Sequence, residues 1–200
     1  LLHTPLHQPH RMSATRYTVR SSFLFLRCAL SLQDVREEYH AQQLTEADLL
    51  PDPLAQAKRW VDDAIAANLP MANAMTLATV AADGQPSARV VLLKQIDSQG
   101  FAFYSHYDSR KGAEINANPK VSFAMHWPAL DRQLVVMGEA QRLSREVSLA
   151  YFHSRPRDSQ LSAAISPQSR PVSREWLVQQ MTALATRCPD GTPIPLPENW

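Results

Sequence analysis

Glycine is scarce in this chain. There are five in 200 residues, at positions 84, 100, 112, 138 and 191, and no two stand close enough to spell GxGxxG or GxxxxGKS/T. The backbone cradles of the dinucleotide fold and of the P-loop are therefore excluded, so any phosphorylated ligand must be held by side chains. Cysteine is rarer still. Cys28 and Cys188 belong to no CxxC or Cys/His pattern and read as free thiols of a reducing compartment, not as a disulfide framework. The seven histidines show no HExxH or paired spacing, so no metal is expected. An excess of one charge is also missing: 20 Lys+Arg face 19 Asp+Glu, which argues against a nucleic-acid partner. No long apolar run exists either. The stretch from Phe23 to Leu32 is too short to span a bilayer and is interrupted by Arg27, so no membrane partner is expected.

What remains is an ordinary globular composition, 44% hydrophobic, long enough for one substantial core. Residues 1–33 differ from the rest. They hold no acid, carry Arg11, Arg16, Arg20 and Arg27, and are rich in Ser and Thr, a composition that resembles a transit peptide. The chain also begins with Leu, so an upstream translated extension with initiation at Met12 or later reads equally well. This leader is expected to be disordered and functionally silent, with residues 34–200 forming a single domain. A cytoplasmic location is expected, organellar targeting being the lesser alternative.

Asp52-Pro53 opens a helix with a capping side chain and a proline in the first turn, and Leu54, Ala57, Val61, Ala64 and Ile65 give it one apolar face to about Asn68. β signals follow in close succession: Met75 to Val80, Ser87 to Gln95, Phe101 to Ser105, Val121 to Trp127 and Gln133 to Leu143, with Gly138 marking a bulge. A short helix, Ser109 to Asn116, interrupts them. After Ser144 the chain reads as helical, around Val147 to Tyr151, from Ser159 to Ile165, and from Ser173 to Arg187 with Trp176, Leu177, Met181 and Leu184 inward. Four prolines keep the stretch from Pro189 to Trp200 out of regular helix. The fold class expected is α+β, mainly β: a small antiparallel barrel with flanking helices.

Three stretches carry chemistry. Tyr151-Phe-His-Ser-Arg-Pro-Arg-Asp-Ser-Gln160 gathers a phenol, three cation-capable side chains and two hydroxyls around a helix-breaking proline. Arg presents a planar fork of donors that matches phosphate oxygens, and Tyr and Ser add neutral donors. A small dianion grip and a plain solvated helix end both fit this segment. In Arg89-Val-Val-Leu-Leu-Lys94 the two cations are an odd number of residues apart, so a regular strand sends them to opposite faces. They serve two different anions, or they simply reach water at the strand ends. Ser109-Arg110-Lys111 starts a helix, where free N–H groups and the dipole attract anions. Gln168-Ser169-Arg170 is a weaker candidate that also reads as polar loop.

Together, Arg36-Glu-Glu-Tyr39, Asp52-Pro53, Arg89 to Lys94, Phe103-Tyr104-Ser105, Ser109-Arg110-Lys111, Arg132-Gln133 and Tyr151 to Gln160, in this order, resemble the pyridoxine (pyridoxamine) 5'-phosphate oxidase family. The resemblance implies an FMN-binding split β-barrel, Greek-key-like, working as a homodimer with FMN at the subunit interface. It gives FMN to Arg89, Val90, Val91, Leu92, Leu93, Lys94, Tyr104, Ser105, Arg110, Lys111, Gln133, Gln168 and Ser169. It gives the substrate phosphate to Lys94, Tyr151, Arg155 and Ser159, with Arg36 and Tyr39 folding over the substrate. The implied reaction oxidises pyridoxamine or pyridoxine 5'-phosphate to pyridoxal 5'-phosphate by hydride transfer from C4' to the flavin, which O2 reoxidises with release of hydrogen peroxide.

Members of that family continue past the position of Trp200 with closing strands that bear a flavin-contacting Trp, a further flavin-contacting Arg and an Arg-x-His pair beside the reacting carbon. Catalytic residues are therefore unassigned within these 200 residues. A chain lacking that segment is expected to keep its FMN-phosphate contacts, to turn over weakly, and to expose a sheet edge that lowers solubility. Two other functions fit the same barrel. A non-catalytic FMN or pyridoxal-phosphate carrier would retain ligand without making peroxide, and a flavin reductase would be indifferent to Arg155→Ala with a nicotinamide donor.

Overall fold

Asp52 does what its position before Pro53 demands: its carboxylate accepts the N–H groups of Leu54 at 3.0 Å and Ala55 at 3.2 Å, and the first helix follows. The computed structural model describes residues 44–200, so the leader, Cys28, Arg36 and Tyr39 lie outside the described residues. This helix, α1 (Pro53–Ala66), buries Ala57, Val61 and Ala64 on the apolar face that the spacing defines.

A four-stranded sheet in the order β2-β1-β5-β6 follows, antiparallel throughout: β1 (Ala74–Val80), β2 (Pro86–Leu92), β5 (Lys120–Trp127) and β6 (Arg132–Glu139). Gly84, at φ 87°, takes the left-handed turn between β1 and β2 that a side chain would oppose. β3 (Gln95–Asp97) and β4 (Gly100–Ala102) form a separate two-stranded ribbon. Period-two alternation turns Met75, Leu77 and Thr79 of β1 and Phe123, Met125 and Trp127 of β5 inward. There they pack with Val61, Ala64, Ala72 and Leu93, and Trp127 Nε1 donates to the Ala72 carbonyl at 2.9 Å. On the outer face, Val90 and Leu92 of β2 and Val135 and Met137 of β6 stay exposed.

The helices make a second layer around another core. Between β4 and β5 lies α2 (Arg110–Ala117); after β6 come α3 (Arg145–Ser154), α4 (Arg157–Ile165) and α5 (Arg174–Arg187). Ser109, Ser144 and Ser173 cap α2, α3 and α5, each accepting an N–H three residues on. Phe152, Leu161, Leu184, Cys188, Ile194, Leu196 and Trp200 form the core of this half.

The α+β antiparallel class expected from the sequence is the one observed. Several local expectations are not. Gly138 makes no bulge, because β5 and β6 pair without interruption from Lys120↔Glu139 to Trp127↔Arg132. Three strands end early. β2 stops at Leu92, where Leu93 leaves the ladder and its N–H turns to the Asn73 carbonyl at 2.8 Å, while β4 and β6 end at Ala102 and Glu139. On α5 only Leu184 is buried; Trp176 is exposed, since the helix meets the core along a narrower stripe than its apolar residues cover.

Candidate anion-binding site

The start of α2 is pressed against the loop before it. A Cβ at Gly112 would lie 2.2 Å from the Tyr107 carbonyl oxygen, so only glycine permits this approach. That contact seats Lys111 inward, 9% exposed. Its Nζ donates to Gln168 Oε1 at 2.7 Å, Ser105 Oγ at 2.8 Å and Ser109 Oγ at 3.2 Å. Burial, and then the nearby Arg89 charge, pull its pKa below the usual lysine value. The loop after α4 supplies the remaining groups: Ser105 Oγ donates to Gln168 Oε1 at 3.0 Å, and the Arg110 N–H donates to Ser169 Oγ at 3.2 Å. Ser169 holds a left-handed φ of 69°, a conformation that non-glycine residues adopt at a cost. Five residues named from the sequence thus converge: Ser105, Arg110, Lys111, Gln168 and Ser169.

Behind them lies a carboxylate that sequence reasoning missed. Glu114 is 6% exposed and accepts from Thr79 Oγ1 at 2.5 Å, Ser87 Oγ at 2.7 Å, Arg89 Nη2 at 2.9 Å and Arg110 Nε at 2.9 Å. The Thr79 hydroxyl foremost, with Ser87, Arg110 and Arg89, holds its pKa down to about 2 against the opposing effect of burial. An acid on a short helix ordinarily reads as solvated. Only its i+4 spacing from Arg110 hinted at pairing.

Beside this cluster, Tyr104 stacks on Tyr151 of α3 with ring centroids 3.8 Å apart, and Trp200 lies parallel at 5.5 Å from Tyr104. Burial, then Tyr151 and Asp97, raise the Tyr104 pKa, so its hydroxyl stays protonated. Pro156 ends α3, and Arg155, extended at φ −75° and ψ 152°, joins it to α4, giving the broken helix that the proline implied. Arg155 lies 5.3 Å over the Trp200 ring, and its Nη1 is buried without a hydrogen-bond partner among the described residues. Such a donor is costly to leave unpaired and invites an anion. Ser159 stands in the first turn of α4, half-buried. Trp200, 6% exposed, was not singled out as a site residue from the sequence. Its signal was its place at the end of a proline-rich tail.

The other two cation-capable side chains of the Tyr151 to Gln160 string serve the fold. Arg157 donates to the carbonyls of Cys188, Pro189 and Thr192 and pairs with Asp190, while His153 Nε2 lies 2.9 Å from the Ile194 carbonyl. That leaves Tyr151, Arg155 and Ser159 as the candidates of the string.

Along β2 the side chains alternate as far as Leu92, where the strand ends short of Lys94. Arg89 faces inward to Glu114, with Val91 half-buried and Leu93 in the core, while Val90, Leu92 and Lys94 are exposed. Gln133 is not brought to the Lys111 cluster. It is exposed on β6, opposite His126, on the sheet face that carries Val135 and Met137, whereas Arg89 is inward on the other edge strand.

A family model described as pyridoxamine 5'-phosphate oxidase matches residues 61–188. A relative from Alcanivorax borkumensis named pyridoxine/pyridoxamine 5'-phosphate oxidase is 63% identical over 169 residues, which is 84% of this chain and 80% of its own length. One of the same name from Cupriavidus necator is 47% identical over 169 residues, 84% of this chain and 79% of its own. Among solved structures, PhzG from Burkholderia lata 383, in complex with tetrahydrophenazine-1-carboxylic acid, superposes with a TM-score of 0.73 at 28% identity, covering 80% of this chain and 79% of that one. A pyridoxamine 5'-phosphate oxidase-related, FMN-binding protein from Nostoc punctiforme reaches a TM-score of 0.58 at 16% identity, over 76% of this chain and 78% of that one, a likeness of fold alone.

Proposed function

The chain belongs to the pyridoxamine 5'-phosphate oxidase family, and from that premise we propose that it oxidises pyridoxamine 5'-phosphate or pyridoxine 5'-phosphate to pyridoxal 5'-phosphate with FMN, reducing O2 to hydrogen peroxide. One observation carries the proposal: two donor sets suited to anions meet across one stack of aromatic rings. Lys111, Arg110, Ser105 and Ser169 cluster beside Tyr104, and Arg155 follows Tyr151, the ring stacked on Tyr104 at 3.8 Å. An oxidase that holds a phosphorylated cofactor against a phosphorylated substrate needs two such sets, adjacent and separate.

The donor chemistry suits a flavin phosphate. A buried ammonium, a guanidinium at a helix start, two hydroxyls and an amide together offer charge and directional hydrogen bonds where no glycine cradle exists. Bound there, FMN would supply the two-electron redox chemistry and pass the electrons on to O2. Lys111 and Arg110 would hold its phosphate, with Ser105, Gln168 and Ser169 fixing orientation. The unpartnered Arg155 Nη1, with Tyr151 and Ser159, would grip the substrate phosphate and so position the carbon to be oxidised.

The proposal includes a homodimer. Gln133 stands on the outer sheet face, away from Lys111, and the exposed Val90, Leu92, Val135 and Met137 on that face support its burial against a second copy that completes the cofactor site. It also includes a cytoplasmic location, in keeping with the unpaired, buried Cys188.

Incubation of the purified protein with FMN, removal of free flavin, and a peroxide assay with pyridoxamine 5'-phosphate test the proposal. Retained flavin absorbance and peroxide release are expected, with release lost in Arg155→Met. Protein that stays colourless overturns the flavin assignment, and flavin retention without peroxide puts the carrier function in its place.

A further inference from the structure

A buried carboxylate beside an anion site is a puzzle, because its charge repels the ligand that the site is built to hold. Glu114 is such a group, 6% exposed, on the helix whose first two residues are Arg110 and Lys111. Each of its oxygens has a distinct task. Oε2 takes Thr79, Ser87 and Arg89 Nη2, drawing two strands of the sheet onto α2. Oε1 takes Arg110 Nε at 2.9 Å.

The two guanidinium groups are left in different states. Both terminal nitrogens of Arg89 are engaged, Nη1 with Thr79 Oγ1 at 2.6 Å and the Leu77 carbonyl at 3.3 Å, Nη2 with Ser87 Oγ at 2.5 Å and Glu114. Among the described residues the Arg110 side chain hydrogen-bonds only through Nε, and with the side chain 63% exposed its two Nη groups are left to solvent or to a ligand. A long cation at a helix start would otherwise sample many rotamers, each lost on ligand binding. Fixing Nε of a planar group fixes the plane and direction of its remaining donors.

We propose that Glu114 is a positioning residue for the cofactor-phosphate site: it anchors Arg89 as scaffold and aims the free Nη donors of Arg110 at the phosphate. This rests on the flavin assignment above. The test exploits a difference in sign. Glu114→Gln removes a negative charge beside the site, so charge alone makes phosphate bind more tightly, whereas loss of positioning makes it bind more weakly.

Dissociation constants for FMN and for riboflavin, measured on the full chain by flavin fluorescence, isolate the phosphate contribution as their ratio. In the wild type, FMN binds more tightly than riboflavin. In Glu114→Gln that preference falls about tenfold, the factor that goes with one immobilised long side chain, while riboflavin affinity stays unchanged. In an Arg110→Ala background the same substitution changes the preference little, because the group it aims is gone. A preference unchanged or increased in Glu114→Gln overturns the proposal, and so does an equal fall in the Arg110→Ala background. Should Glu114→Gln not fold, Glu114→Asp keeps the charge but retracts the carboxylate by one methylene; a reduced preference supports positioning and an unchanged one overturns it. A wild type that binds FMN and riboflavin equally, or neither, brings down the flavin-phosphate assignment itself.

Discussion

Replacing Lys111 by Met should separate stability from binding. The ammonium gives three hydrogen bonds, to Gln168, Ser105 and Ser109, but none of those partners depends on it. Without it, Ser105 Oγ still donates to Gln168 Oε1 at 3.0 Å, and Ser109 Oγ still donates to the His106 carbonyl at 2.6 Å and accepts the Gly112 N–H at 3.3 Å. The lost bonds are offset by relief of a buried positive charge that sits near Arg89. A methionine of similar length fills the same space. The net change in the flavin-free protein should stay within about 1 kcal/mol, a melting shift of roughly 2 to 4 °C for a chain of this size. Binding should respond far more. Phosphate would take over one of the three N–H donors from its present acceptor, and one charge-assisted hydrogen bond contributes roughly 1.5 to 3 kcal/mol, so FMN affinity should fall about ten- to a hundred-and-fifty-fold with riboflavin affinity unmoved. Thermal melts of the flavin-free protein and calorimetric titration with both flavins read the two quantities. A melting point lowered by more than about 10 °C, or an unaltered FMN affinity, refutes the reasoning, because Lys111 would then be a structural strut.

Four further outcomes are expected. Because burial and Arg89 lower the Lys111 pKa from its ordinary 10.5, its proton leaves earlier as pH rises; FMN affinity should therefore decline at alkaline pH below 10.5, and in Lys111→Met the titration should be flat there. Arg155→Met removes a guanidinium nitrogen that is buried and unpaired, so KM for pyridoxamine 5'-phosphate should rise at least tenfold while the melting point holds or climbs. Gly112→Ala drives a methyl into the Tyr107 carbonyl and should destabilise by about 1 to 3 kcal/mol in urea titrations, loosening the Lys111 cluster as well. Glu114, ordinarily near 4.5 and held to about 2 in the fold, contributes stability that is present above 4.5 and lost as pH falls toward 2; acid unfolding curves of wild type and Glu114→Gln should converge across that interval.

What the sequence could express was local. Asp52, Ser109 and Ser173 marked helix starts because capping is a contact over two or three residues, and the short apolar runs of β1 and β5 announced strands, though not which face they would bury. The odd spacing of Arg89 and Lys94 predicted opposite faces, but the strand ends at Leu92, before Lys94, so parity stops short of that residue. Gly138 misled because a strand glycine and a bulge glycine look alike until the partner's register is known. The site was half legible. Arg110 and Lys111 were conspicuous at a helix start, but Gln168 and Ser169 read as loop until folding carried them across an interval of 57 residues to Lys111. Glu114 and Trp200 gave almost no sign, since their significance lies entirely in what the fold sets beside them. Arg157 and His153 erred the other way: prominent in a basic string, they answer to carbonyls of the tail.

That tail has a bearing on how the site is kept ready. Between Pro189 and Trp200 four of twelve residues are prolines, at 189, 193, 195 and 197, so the unfolded segment has fewer shapes to surrender. Arg157 clasps its near end, and Arg145 its far end at Leu196 and Pro197. The Trp200 indole is thus set beside Tyr104 and Arg155 at little entropic expense. How Arg155 is presented therefore depends on this braced segment and, through Arg157 and Arg145, on the helices α4 and α3 that hold it.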